Sequence, residues 1–283
     1  MSNAIGNSWN LVKSSAKVLS QDKELALFPV ISSIAMAILT VVFFLPFVFA
    51  GAIDSISQNG LNWVHYVILF TFYIFQYFII VYCNTALVGA ALIRLRGGDP
   101  SVKDGFNTAN KRFGKIFLYA LISATVGVIL SLIRDQGKNI GKVISSIIGF
   151  VWNIATFLVV PVLAAEDIGP IDAIKRSVEY MKRTWGEQLV GSYGIGIVFN
   201  LIGFLVFLAC VAGAFLAYYF SLAVWVYIGL GAFLILAIMV IALISSTLNG
   251  IYTAALYQFA STGEAGIFYD PAVLQGAFKI KSN

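Results

Sequence analysis

The residues in this chain that could do chemistry are carboxylates, and they gather at the edges of apolar runs. Asp22, Glu24, Asp99, Asp104, Glu166, Asp167, Asp172, Glu179, Glu187 and Glu264 all stand there. Carboxylates grouped at a membrane boundary can hold a metal ion against a phosphate-bearing lipid. They can equally pair with basic neighbours and cap helices. The second use is expected here, because Lys and Arg crowd the same segments. A nucleophile motif or phosphate loop would change that reading, but the chain has no HExxH, GxSxG or Walker-type string. Cys83 and Cys210 lie alone in apolar runs and read as small packing residues. His65, between Trp63 and Tyr66, reads as part of an interfacial aromatic belt. No catalytic residue, metal site or cofactor is therefore assigned, and the chain reads as a non-enzyme.

A second set of polar residues lies inside the apolar runs: Gln76, Asn84, Asn153, Asn200 and Asn249. They are neutral. Deep amides serve either as hydrogen-bonded contacts between helices or as the lining of a polar path, and the interhelical role is the commoner. Ion-coupled pumps place ionisable groups at mid-membrane, and these runs carry none. Asp104-Gly105 with Ala109 faintly echoes the signature of phosphatidyl-alcohol transferases, but its second aspartate pair is absent downstream.

The elements that must position these residues are membrane spans. Between Gln188 and Gly263 there is no Asp, Glu, Lys or Arg. Overall 60% of residues are hydrophobic and 11% charged, where soluble chains carry roughly 25% charged residues. About 20 apolar residues cross a bilayer. Six spans are expected, at Leu25–Ile53, Leu61–Ile93, Ile116–Ile133, Val143–Ala165, Leu189–Leu216 and Leu222–Phe259. The first is too long for a signal peptide and reads as retained. Of 18 Lys and Arg, all but Arg134, Lys138 and Lys142 fall in alternate loops and the termini. The positive-inside rule puts those segments, and both termini, in the cytoplasm of a multi-pass inner-membrane protein. The net charge of +5 follows from that threading. Anionic headgroups are the expected partners of the basic face, a homo-oligomer is an open expectation, and nothing reads as nucleic-acid binding.

Three basic segments carry helical periodicity. Apolar residues recur at Ile5, Trp9, Val12, Ala16 and Leu19, at Phe106, Ala109, Phe113 and Ile116, and at Ile171, Ile174, Val178, Met181 and Trp185. These predict amphipathic helices lying at the membrane surface or under the bundle. The expected fold class is all-α, a single membrane domain over 1–283. Interfacial helices occupy 3–22, 101–115 and 170–187. Spans occupy 25–93, 116–165 and 188–262, and a cytoplasmic tail covers 263–283. Each unit of one interfacial helix and two spans hints at a threefold internal repeat. Asn84, Asn153 and Asn249 fall once per unit, followed by Ala90-Ala91, Ala164-Ala165 and Ala254-Ala255. Small residues four apart predict close helix packing at Ser123, Gly127 and Ser131, at Ala209, Gly213 and Ala217, and at Ser192 and Gly196. Pro46 and Pro161 predict kinks.

The string Asp22-Lys23-Glu24-Leu25, running to Phe28-Pro29, resembles the start of a bacterial and archaeal family of polytopic membrane proteins. Ala124-Thr125-Val126-Gly127, Trp152 and Val160-Pro161-Val162-Leu163 fit it. So do Glu166 to Gly169-Pro170, Ala173 to Ser177 with Lys175 and Arg176, and Lys182-Arg183-Thr184-Trp185-Gly186-Glu187. That family is similar in layout to the membrane domain beside some glycerophosphodiester phosphodiesterases, without their catalytic barrel. The resemblance implies class and topology and marks Glu166, Lys175, Arg176, Lys182, Trp185 and Glu187 as a cytoplasmic-face motif. The functional expectation is a channel- or transporter-like bundle that passes or binds a small solute or lipid. The alternative is a scaffold that organises lipids or partners.

Overall fold

The computed structural model describes residues 2–49, 63–136, 138–183 and 189–269. Trp185, Glu187 and most of the expected tail lie outside them. Among the described residues every regular element is helical. Helix α1 (Ser2–Gln21) leads through a 3-10 turn (Lys23–Ala26) into α2 (Leu27–Phe49) and then α3 (Trp63–Leu95). Helices α4 (Val102–Lys111), α5 (Phe113–Gln136), α6 (Lys138–Thr156) and α7 (Val159–Ala165) follow. Helix α8 (Pro170–Arg183) precedes the long hairpin of α9 (Leu189–Tyr219) and α10 (Val224–Thr262). Six segments are long and apolar enough to cross a membrane: Lys23–Pro46, Trp63–Leu95, Phe113–Arg134, Ile140–Ala165, Val198–Tyr219 and Val224–Thr262. The chain is a multi-pass, all-α membrane protein.

The second interfacial helix is shorter than the periodicity predicts. Helix α4 opens on a capping box in which the Ser101 side chain accepts from the Asp104 amide and Asp104 accepts from Ser101 N–H. It closes at Lys111, because Arg112 leaves helical geometry and donates its N–H back to Ala109 and Asn110. Phe113 and Ile116 therefore belong to α5. Span four is broken at Phe157–Leu158, four residues before Pro161. Proline has no N–H for the Phe157 carbonyl, and its ring crowds that carbonyl.

The buried core sits at one end of the long helices, the end that carries Arg94, Arg112, Lys115 and Arg176. Helix α3 packs against α2, α4, α5, α7 and α10. Leu87, Ala90 and Ala91 of α3, Val159, Val162 and Leu163 of α7, and Leu248, Ile251, Ala254 and Ala255 of α10 are at most 2% exposed. The ends of spans two, four and six thus meet, with their alanines at the meeting point. Ala165 is the exception and is exposed. At the opposite end most side chains face outward. Val224, Trp225, Phe233, Ile235 and Leu236 of α10 are all exposed. Helix α10, with 39 residues, is about 58 Å long at ~1.5 Å per residue, well beyond roughly 30 Å of hydrocarbon. Its end is set by Gly263 at φ +77°, a left-handed cap that suits glycine.

Two of the three small-residue faces mark helix contacts. Gly127 lies against Tyr73 of α3, and Gly213 against Leu230 of α10, beside buried Cys210 and Ala217. Gly196 faces open space.

The seats of these three amphipathic helices overlap the predicted stripes at Val12, Ala109 and Met181 but are turned away from Trp9 and Ile171. Helix α8 buries Ala173, Ser177, Tyr180 and Met181, while Ile171 is 60% exposed. Helix α1 buries Leu11, Val12, Ser15 and Val18, while Trp9 is 48% exposed. Helix α4 buries Gly105 and Ala109, and a Cβ on Gly105 would lie 2.6 Å from the Ala86 carbonyl. Small side chains, Gly105 and Ala109 on α4 and Ala173 and Ser177 on α8, let those two helices approach the bundle closely. Larger apolar residues beside the seam, Trp9 and Ile171, are left exposed.

Candidate functional site

Two regions collect the polar side chains. The first is the end of the bundle that carries the charged loops, where ion pairs tie the elements together. Glu166, the residue after α7, accepts from Tyr180 Oη at 2.8 Å and Tyr257 Oη at 3.1 Å through one oxygen. Its other oxygen pairs with Arg176 Nε at 3.2 Å. Arg176 also pairs with Glu179 at 3.0 Å and lies over the Tyr180 ring. One carboxylate therefore joins span four, α8 and span six. Asp167 pairs with Lys115 and Arg112 of the α4–α5 junction. The Lys115 ammonium hydrogen-bonded to it, together with Arg112, holds the Asp167 carboxyl below the usual range. Hydrogen bonds from the Ser101 side chain and then its backbone lower Asp104 in the same way. Arg94 bridges Asp22 at 3.3 Å and Asp99 at 2.6 Å. Burial nevertheless pushes the Asp22 carboxyl above its ordinary value, outweighing Arg94. Glu24 accepts from the Val102 N–H at 3.1 Å, adding a second acceptor at the start of α4. These carboxylates pair and cap, as their neighbours predict. Lys175 pairs with Asp172, and Lys182 is exposed.

Ser177 completes this region. Its side chain is fully buried, and its Oγ accepts from Leu158 N–H at 3.1 Å. That N–H lies in the break of span four, so a hydroxyl from α8 supplies the partner that the helix interruption removes. The sequence motif contained Ser177 but gave no reason to single it out.

The second region lies inside the spans. A half-enclosed groove of about 270 Å³ runs between α2, α3 and α10, with Ser32, Ser33, Asn84 and Ser246 among its lining residues. The Cys83 thiol lies beside the Ser32 hydroxyl. Ser33 donates to its own helix at the Pro29 carbonyl, 2.9 Å away. Among the described residues neither Asn84 nor Ser246 is given a hydrogen-bond partner within the chain. Of the amides singled out from sequence, only Asn84 reaches this groove. Gln76 is half-buried on α3, and Asn153, Asn200 and Asn249 are exposed on α6, α9 and α10. The serines were missed. Their signals were the Ser32-Ser33 pair in span one and the Ser245-Ser246-Thr247 run in span six, each a hydroxyl cluster in an otherwise apolar stretch.

Residues 63–268 match the model of a protein family described as "Family of unknown function (DUF6159)". No curated protein matches the chain.

Proposed function

The chain belongs to that family, and we propose that it is a non-enzymatic membrane protein that binds a small solute or lipid between α2, α3 and α10. One observation carries this reading: the groove presents an amide, Asn84, which has no hydrogen-bond partner among the described residues. An unmet amide in hydrocarbon is costly, so a bound molecule that meets it is favoured. The engagement of the charged-end carboxylates in pairs and caps supports the non-enzymatic part of the reading. The threading stays as the charge rule has it, with both termini in the cytoplasm and the basic face against anionic headgroups of the inner membrane. The layout still resembles the membrane domain beside some glycerophosphodiester phosphodiesterases.

The scaffold reading has its own support. The charged end of the bundle is closely packed, and α9 and α10 present long apolar faces on which a second copy or a partner helix could assemble.

Native mass spectrometry of the full chain, released from nanodiscs formed directly from its expression membranes, tests the binding reading. The wild type should retain a discrete adduct that Asn84→Leu and Ser246→Leu lose. An identical adduct pattern in all three proteins would overturn it and leave the scaffold.

A further inference from the structure

Resting on the groove reading above, we infer that the occupant is an uncharged amphiphile, a long apolar tail ending in a hydroxyl- or carbonyl-bearing head. The lining chemistry defines the head. Ser32, Ser33, Asn84 and Ser246 offer hydroxyls and one amide, and no charged residue lines the groove. Asn84 can both donate and accept, which a ligand hydroxyl matches with a single group. The volume, about 270 Å³, suits a head of the order of ten non-hydrogen atoms, given roughly 30 Å³ for each water-sized group.

Depth excludes the common charged lipids. Arg94 lies ten residues beyond Asn84 on α3, which is about 15 Å along a helix. Lys23 precedes Ser32 by a similar distance through the turn and α2. Fifteen ångströms is about half the hydrocarbon thickness. A phosphate at that depth would shed its hydration with no Lys or Arg to receive it, which is heavily unfavourable. An alcohol, ester or ketone head loses far less and regains it from Asn84 and the serines. The tail has a place as well. Ile80 and Met239, both lining the groove, are 39% and 49% exposed and form an apolar rim continuous with the outer faces of α3 and α10.

The test uses the full chain in phosphatidylcholine nanodiscs and 1,2-dioleoylglycerol carrying a photoactivatable diazirine in one acyl chain. Crosslinks should map to α2 and α10 on either side of the groove. Unlabelled dioleoylglycerol should compete, whereas dioleoylphosphatidylglycerol and free glycerol should not. Asn84→Leu should lower labelling at sub-saturating probe about fivefold, the factor carried by one lost hydrogen bond. Ser246→Leu, at an exposed position, is the second variant and should act in the same direction with its melting unchanged. Equal competition by dioleoylphosphatidylglycerol would overturn the uncharged head yet keep the groove as the site. Competition by glycerol would overturn the need for a tail. Labelling that maps elsewhere and ignores both substitutions would overturn the groove reading and the ligand class together.

Discussion

Replacing Ser177 by alanine should destabilise the protein far more than a surface serine would. Ser177 is fully buried, and its hydroxyl is the acceptor given to the Leu158 N–H in the break of span four. Alanine leaves that N–H buried and unmet, which costs about 1–3 kcal/mol. The lost volume is one oxygen, so the cavity contribution is small beside it. The same reasoning makes a second, sharper claim. Without Pro161 the helix could run unbroken, residue 161 could donate to the Phe157 carbonyl, and Leu158 could donate to Ile154. In a Pro161→Ala background the Ser177→Ala cost should therefore fall below about 0.5 kcal/mol, a coupling well above the scatter of independent sites. Reversible unfolding by SDS in mixed micelles gives the four free energies of the cycle. Equal Ser177→Ala costs in the two backgrounds would refute the link between break and hydroxyl. A cost near zero in the wild type would refute the importance of the bond itself.

Gly105→Ala should cost about 1–3 kcal/mol by overpacking, because the new Cβ would collide with the Phe28 ring and lie 2.6 Å from the Ala86 carbonyl oxygen; wild-type stability in the same SDS titration would contradict the close seat of α4. Glu166→Ala should cost about 1–3 kcal/mol by stranding the hydroxyls of Tyr180 and Tyr257, both largely buried, and Glu166→Gln should cost less, since an amide oxygen still accepts. The Asp167 and Asp104 carboxyls are held below their ordinary pKa, so their stabilisation is present above about pH 4 and fades as pH falls through the lowered values; Asp167→Asn should flatten part of that acid limb in nanodisc melts, and an unchanged limb would remove the ion pair from the account. Single cysteines at positions 3, 57, 107, 138, 179 and 281, in a variant without Cys83 and Cys210, should label from the cytoplasm at all but 57 and 138; cytoplasmic labelling at those two would reverse the threading.

Much of this architecture is written in local pattern. The spans follow from uncharged length, and the carboxylate pairings from the basic residues beside them. Other features depend on relations that local pattern does not carry. The stripes through Trp9 and Ile171 rank residues by apolar size, whereas the seats of α1, α4 and α8 also draw in Ser15, Gly105, Ala173 and Ser177, which a ranking by size passes over. Pro161 announces an interruption in span four, but its partner hydroxyl stands on another helix. The expected helix over 101–115 runs past Lys111 because Phe113 and Ile116 extend the apolar rhythm, which does not register the turn at Arg112. The groove is assembled from α2, α3 and α10, positions far apart in the chain, so Asn84, Ser32 and Ser246 could each be flagged by polarity in an apolar stretch, while their convergence on one groove could not.

The confinement of the core to one end of the long helices has a mechanical consequence. Where α3, α7 and α10 interlock through Ala91, Leu163 and Ile251, the protein occupies a fixed area that lateral compression cannot easily change, because close-packed interiors are stiff. Where α10 runs on to outward-facing Phe233, Ile235 and Leu236, fewer protein neighbours surround it, and the area it occupies can follow the surrounding lipid. The protein is a rigid inclusion in one leaflet and a compliant one in the other. Changes in acyl-chain order or membrane curvature should therefore act on the two ends of the bundle with unequal force.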